Sequence, residues 1–241
     1  MNIILTTMVN YKEEDTQVFL ASLIAQKYDG KLVIVGTKQN WPRLKHLDVT
    51  WLEPVKSHWH INSSRFLAYK KYLETIDAPA NIILTDSRDV VFQLPVQSIA
   101  YQYLCSYTEN QKLGCCPYNS EWMRIIGCTQ YNHKPIICAG VTTGSTLAIR
   151  HYVAKLVEEL MMYPKVKGLD QALHNKLFYG NKLVLSRVIG NIEGPVYTVG
   201  YYARETLIPT NVLSNQAGTP VIVHQYDRHK NLTKFFKEKY L

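Results

Sequence analysis

The feature that most constrains this chain is the alternation of short apolar runs with helical spacing in its first third. Ile3-Ile4-Leu5-Thr6 is a run suited to a buried strand. Residues 15–27 then place Val18, Phe19, Leu23 and Ile24 close to one helical stripe, and Gly30 ends that helix. Lys31-Leu32-Val33-Ile34-Val35-Gly36 is a second apolar run and Val49-Thr50-Trp51-Leu52 a third. Helical spacing returns over 64–76, with Phe66, Tyr69, Leu73 and Ile76 on one face and Asn62 or Ser63 as the N-cap. Asn81-Ile82-Ile83-Leu84-Thr85 is the next strand, and it runs into an acidic cluster. Strand, helix, strand at this spacing predicts right-handed βαβ units and a mixed, mainly parallel sheet flanked by helices.

The second half is less regular. Leu113-Gly114-Cys115-Cys116 and Ile136-Ile137-Cys138-Ala139 read as strands. The clearest helix spans 146–162, with Ile149, Val153, Leu156, Val157 and Leu160 on one stripe and Pro164 closing it. A further helix starts at Asp170 and runs to about 179, followed by short β segments at 182–186, 195–201 and 220–224. No Pro/Ser/Gly-rich linker divides the 241 residues, so the chain reads as a single α/β domain. With 46% hydrophobic and 19% charged residues, the composition excludes a disordered chain, and no apolar run approaches the roughly 18 residues of a membrane span. The net charge of +8 implies an anionic partner: nucleic acid, a phosphorylated ligand or an acidic membrane surface. The five cysteines form no CxxC pair, which excludes a zinc ribbon or thioredoxin motif and predicts buried free thiols in a reducing compartment. The N-terminus carries no basic n-region or long apolar h-region, so no signal peptide is expected, and the sequons at Asn62 and Asn231 read as chance.

The densest chemical signal is Thr85-Asp86-Ser87-Arg88-Asp89-Val90-Val91-Phe92-Gln93. In open α/β sheets, ligands sit beyond the carboxyl ends of strands. Two carboxylates there are costly unless something positive lies between them, and Mg²⁺ or Mn²⁺ shared with a diphosphate is a natural candidate. A capped turn with Arg88 and Asp89 paired on the surface is the plainer alternative. His224, after the apolar run Pro220-Val221-Ile222-Val223, can supply a nitrogen to the same metal or be an ordinary core histidine. The stretch from Ile137 to Ser145 reads as a strand, a small-residue turn at Gly140 to Gly144 and a helix start. Those two glycines either admit a ligand to the backbone or serve tight packing. Asp170 is either a helix N-cap or a carboxylate that contacts an acceptor as general base. Arg65, near a helix start, faces a phosphate or solvent. Thr6, Thr7 and Tyr11 follow the first strand, where a nucleotide base or ribose would sit. The last residues, with Phe235, Phe236 and Tyr240 among lysines, either lie on an anionic membrane or form a helix docked by its aromatics.

These segments, with Cys138-Ala139-Gly140-Val141-Thr142-Thr143-Gly144, Asp170-Gln171-Ala172-Leu173-His174-Asn175 and Val223-His224-Gln225-Tyr226-Asp227-Arg228, resemble a GT-A-fold glycosyltransferase in order and spacing. The resemblance implies a single GT-A-like, Rossmann-like domain, with a nucleotide-sugar-binding half over about 1–92 and an acceptor-binding half over about 93–241. It implies a hexosyltransferase-like enzyme that uses Mn²⁺ or Mg²⁺, held by Asp86, Asp89 and His224, to move a sugar from a nucleotide-diphosphate donor to a glycan or lipid-linked glycan. Asp86, Arg65, Arg88, Thr6, Thr7, Tyr11, Gly140 and Gly144 would line the donor. Asp170 would be the base in an inverting member or a positioning residue in a retaining one. The chain departs from a strict Asp-x-Asp: Asp86-Ser87-Arg88-Asp89 is one residue longer, so either Asp86 contacts ribose or water while Asp89 takes the metal, or only one of them touches it.

Two other readings compete with this one. A sugar-nucleotidyltransferase would need a Gly-rich basic loop after the first strand, and Thr6-Thr7-Met8-Val9-Asn10-Tyr11 has none. A nucleic-acid-binding module would need basic and aromatic residues interleaved on one surface. Here they are scattered except in the tail, so no nucleic-acid partner is expected. The expected location is cytoplasmic, with peripheral membrane contact through the basic tail.

Overall fold

A computed structural model of the chain describes residues 1–99, 101–163, 166–200 and 211–241. The expected alternation forms as β1 (Asn2–Thr7), α1 (Glu13–Ala25), β2 (Lys31–Val35), β3 (Asp48–Leu52), α2 (Ile61–Glu74) and β4 (Asn81–Thr85). The rest of the chain adds β5 (Val90–Phe92), β6 (Leu104–Lys112), α3 (Pro117–Ile125), β7 (Pro135–Ser145), α4 (Thr146–Leu160), α5 (Leu169–Tyr179), β8 (Ser186–Ile189), β9 (Val196–Thr198), β10 (Ile222–His224) and α6 (Lys230–Tyr240). Seven strands make one sheet in the order β3-β2-β1-β4-β7-β6-β8. Strands β3, β2, β1 and β4 run parallel, β7 is antiparallel to both β4 and β6, and β8 is parallel to β6. The mixed, mainly parallel sheet expected from the sequence is therefore present. A second sheet, β5-β10-β9, sits beyond the end of β4.

Strand alternation divides the core. Ile3, Leu5, Val33, Val35, Ile82 and Leu84 face a layer that includes Phe66 and Tyr69 of α2, Tyr152 and Leu156 of α4 and Leu173 of α5. Ile4, Leu32, Ile34 and Ile83 face the other way, onto Phe19, Leu20 and Leu23 of α1 and Phe92 of the small sheet. A third cluster joins Val91 and Val223 of the small sheet to Leu232 and Phe236 of α6. The tail is thus a helix docked by its aromatics, with Tyr240 Oη donating to Phe92 O at 3.0 Å. No described helix is long and apolar enough to cross a membrane.

Several expectations are corrected. Helix α1 ends at Ala25, and Gly30 instead lies just before β2, where a Cβ would lie 2.3 Å from Asn2 O. Helix α2 begins at Ile61, capped by His60, whose Nδ1 accepts from Asn62 N at 3.3 Å; neither Asn62 nor Ser63 is the cap. Leu113–Cys115 is a 3-10 turn rather than a strand, because it closes β6 and leads into α3. Both β6 and α3 escaped the sequence reading: β6 ends in Thr-Glu-Asn-Gln-Lys, which hides its buried start at Leu104 to Tyr107. The stretch around Gly140 and Gly144 is no turn: both lie inside the eleven-residue strand β7, and α4 starts only at Thr146, with Ser145 as its cap. Pro164 and residue 201 of the expected 195–201 segment lie outside the described residues. Of the thiols, Cys105, Cys128 and Cys138 are buried as expected, but Cys115 is exposed.

Candidate active site

The site is built where β4 stops. Asp86 N donates to Gly140 O of β7 at 2.9 Å, which carries the sheet one residue past Thr85. The chain then bends over 87–89, pinned by Ser87 Oγ donating to Thr7 O at 2.9 Å. It re-enters a strand at Val90, which pairs with His224 of β10, and Gln225 N donates to Asp89 O at 2.8 Å. This bend explains how an Asp-x-x-Asp spacing converges. His224 Nε2 lies 3.6 Å from Asp86 Oδ2 and 3.6 Å from Asp89 Oδ1. One ligand atom from each of the three residues falls within 4.8 Å of the others.

Charge in this corner is finely divided. Burial alone would raise the Asp86 carboxyl, but the Arg65 guanidinium, with His224, outweighs it and holds Asp86 below the usual carboxylate range. Burial raises Asp89, and the neighbouring Asp86 and Asp227 add to it against His224 and Arg228. His224 feels burial pulling it down, yet Cys138, Asp89 and Asp86 push it well above its ordinary 6.5. Its Nε2 is buried without a hydrogen-bond partner among the described residues, while two carboxylates face it beyond ordinary hydrogen-bond reach. Two carboxylate oxygens and one imidazole nitrogen form a donor set that suits a hard divalent cation such as Mn²⁺ or Mg²⁺.

Arg65 joins this corner to α5. It is only 7% exposed, and its guanidinium pairs with Asp86 Oδ1 and, at 3.7 Å, with Asp170 Oδ2. It therefore faces neither solvent nor open cleft alone. Asp170 is not the N-cap of α5. That position belongs to Gly168, whose φ of 80° and whose Cβ position 2.2 Å from the Trp122 ring leave room for no side chain. Asp170 sits in the first turn instead, buried, with Oδ1 accepting from Ser63 Oγ at 3.3 Å. Burial raises its carboxyl against the pull of Arg65. Gln171 and Asn175 of the same helix grip β7: Gln171 accepts from Ala139 N at 2.9 Å, and Asn175 accepts from Ile137 N at 2.8 Å.

A cleft of about 370 Å³ opens beside the corner. Thr7, Tyr11, Arg65, Asp86, Arg88 and Asp89 line it, as do three cations or potential cations the sequence did not single out: His60, Lys167 and Arg228. Among its lining residues four Lys or Arg stand against two carboxylates. Arg88 lies half exposed at the rim, 3.9 Å from Asp227 rather than paired with Asp89. Asp89 is instead met by Arg228 at 3.3 Å. Burial, with Asp86 beside it, raises the Tyr11 phenol. Thr6 is fully buried and absent from the cleft wall, which within β1 only the last residue, Thr7, reaches. Gly140 lies under the site, with a Cβ position 2.2 Å from His224 Cε1. Gly144 pairs with Ile82, at the far end of β4 from Asp86, and packs on Tyr103 and Leu104. Glu109, raised by burial, lies by Cys138, His224 and Arg228. Nothing in the sequence pointed to it, because β6 itself was not recognised.

No protein-family profile and no curated protein matches this chain. Solved structures do. The galactosyltransferase LgtC, in complex with donor and acceptor sugar analogues, is 14% identical and superposes with a TM-score of 0.57, covering 100% of this chain and 95% of LgtC. The apo form of the glycosyltransferase GlyE from Streptococcus pneumoniae TIGR4 gives a TM-score of 0.62 at 12% identity, covering 100% of this chain and 60% of GlyE. A glycosyltransferase involved in glycosylation of the major capsid of PBCV-1 gives 0.53 at 10% identity, covering both chains completely. The fold is that of GT-A glycosyltransferases. At these identities the likeness concerns the GT-A fold, and the chemistry must be argued from the residues.

Proposed function

We propose that this chain is a glycosyltransferase that moves a sugar from a nucleotide-diphosphate donor to an acceptor hydroxyl of a glycan or lipid-linked glycan. The observation that carries the proposal is the convergence of Asp86, Asp89 and His224 at the carboxyl end of β4, beside a cleft with an excess of cations, in a GT-A fold. LgtC with bound donor and acceptor sugar analogues and the glycosyltransferase GlyE support the same reading. Asp86, Asp89 and His224 would hold Mn²⁺ or Mg²⁺, which when bound offsets charge on the departing diphosphate.

The chain's own residues account for the rest. Arg88, Lys167 and Arg228 give the cleft its attraction for a diphosphate. Tyr11 and Thr7, which also line the cleft, would take the nucleoside. Arg65 orients Asp86 from behind. Both Asp170 oxygens are engaged, by Ser63 and Arg65, so in this proposal Asp170 acts by holding Arg65 rather than as the base. The proposal keeps the donor side in about 1–92 and the acceptor side in about 93–241. It also keeps a cytoplasmic location, with the lysines of α6 as the contact with an anionic membrane face, since its aromatic side is occupied.

A thermal-shift screen of nucleotide sugars, each with and without Mn²⁺, tests the reading, because a ligand that binds only the native state raises the melting midpoint. A shift with one nucleotide sugar that needs Mn²⁺ is expected. A shift with oligonucleotide and with no donor would overturn it.

A further inference from the structure

We infer that Cys138 and Glu109 are positioning residues for His224, forming a relay behind the ring that fixes which nitrogen faces Asp86 and Asp89. The inference rests on reading those three residues as a metal site. His224 Nδ1 lies 3.5 Å from Cys138 Sγ, and Gln225 Nε2 reaches toward the same sulfur at 4.0 Å. Glu109 lies two residues along β6 from Tyr107, the register partner of the buried Cys138, and its carboxyl stands near the thiol.

Strand register makes this meeting possible. Ser106 of β6 pairs with Thr142 of β7, but the next residue, Tyr107, pairs with Cys138. The intervening residues 139–141 leave β6, and Gly140 O and Val141 serve Asp86 N and Thr85 instead. One strand irregularity therefore sets Cys138 beside β6, near Glu109, and slides bare backbone at Gly140 under the His224 ring.

A histidine that ligates through one nitrogen usually gives its other N–H to a carboxylate or carbonyl, which fixes the tautomer and strengthens the ligand. Here a thiol stands between ring and carboxylate. Sulfur is a weak acceptor and S–H a weak donor, so the thiol can take Nδ1–H and pass its own proton toward Glu109. When a metal is bound, that would leave the Nε2 lone pair to it, on the atom that faces the two aspartates with no hydrogen-bond partner among the described residues.

The test is a Mn²⁺ titration followed by electron paramagnetic resonance of the free ion, with a metal-free melting curve for each protein. Cys138→Ala and Glu109→Gln are each expected to weaken Mn²⁺ binding about tenfold. Cys138→Ser, whose hydroxyl accepts and donates at the same place, is expected to stay within about threefold of wild type. Unchanged affinity in both Cys138→Ala and Glu109→Gln overturns the relay, and so does an equal loss in Cys138→Ser and Cys138→Ala. If Cys138→Ala fails to fold, Glu109→Gln against Cys138→Ser decides by the same criteria. A wild-type chain that binds no Mn²⁺ overturns the metal reading and the relay with it. Wild-type binding with unmoved variants overturns the relay alone.

Discussion

His174 and His224 are both closed off from solvent, at 0% and 1% exposure, and both are tied to Cys138. His174 Nε2 meets Ser106 Oγ at 2.8 Å, and that hydroxyl donates to the Cys138 carbonyl at 3.4 Å. His224 Nδ1 meets the Cys138 sulfur. The remaining surroundings differ. The other nitrogen of His174 takes the Tyr152 hydroxyl at 2.6 Å, and the ring packs on Tyr152 and Phe178. Burial, with Arg65 nearby, pushes its pKa down to about 3. Burial pulls His224 the same way, but the groups around it win and raise it. Equal burial thus goes with opposite shifts. What marks a buried histidine as a site is a nitrogen left without a partner opposite fixed charge, not the burial itself.

The largest expected effect breaks that comparison directly. His224→Ala and Asp89→Ala should each weaken Mn²⁺ binding on the order of a hundredfold or more, measured by titration calorimetry, because each removes a ligand rather than its support. His174→Gln should stay within about threefold of wild type. A comparable loss in His174→Gln would mean that the two histidines serve one site.

Next comes pH dependence in the metal-free protein. The folded value of His174 is depressed, so its contribution is complete above the ordinary 6.5 and drains away as pH falls toward 3, where the unfolded chain takes up the proton first. Between pH 6.5 and 5 this amounts to roughly 2 kcal/mol. The folded value of His224 is raised, so its contribution is complete below 6.5 and is lost as pH rises through the higher folded value. Melting curves from pH 5 to 9 should therefore show His174→Gln flattening the acid side and His224→Gln the alkaline side. Loss on the same side in both variants would contradict the opposed shifts.

The two histidines also show what was legible in the sequence. His224 stood out because it follows a buried run and because an acidic cluster elsewhere gave it a partner. His174 lies in a segment quoted for its resemblance, yet nothing in its spacing gives the Tyr152 and Ser106 partners that make it inert. Strands β1, β2 and β4 were readable because a strand buried on both faces is nearly all apolar, whereas the half-exposed edge strand β3 showed only through Val49, Trp51 and Leu52. Strand β6 was not, because only its first half is buried. The β7 glycines read as a turn because a strand that changes partner midway needs small residues for close approach, and glycine carries the same letter in either role. Asp170 read as either a cap or a base because an Asp at a helix start can be both; the cap position is held by Gly168 instead. No local pattern reports an Arg65–Asp170 pair, whose members are joined only by folding.

The glycines sharpen the comparison at smaller scale. In Gly140→Ala the new methyl meets His224 Cε1 and Asp86 Oδ2, so the ring must move, and Mn²⁺ affinity should fall about tenfold, or roughly 1.4 kcal/mol. In Gly144→Ala the nearest atom is Tyr103 O at 3.1 Å, and the strain falls on packing. It should lower the melting midpoint and leave Mn²⁺ affinity within about twofold. Calorimetry and melting on the pair separate the two. Equal metal loss in both would place the effect in β7 as a whole.

The smallest expected effect concerns the hydroxyl between the two histidines. Ser106 spends its proton on the Cys138 carbonyl, so toward His174 it accepts, and His174 must carry its proton on Nε2. Nδ1 is then free to accept from Tyr152. Ser106→Ala strips the partner from one buried N–H and from one carbonyl, at a cost of about 1 kcal/mol in denaturant unfolding. The Cys138 side chain keeps its own contact with His224, so Mn²⁺ affinity should change by no more than about twofold. A larger change would show that the Cys138 backbone transmits the state of one histidine to the other, and the two regions would have to be treated as one network.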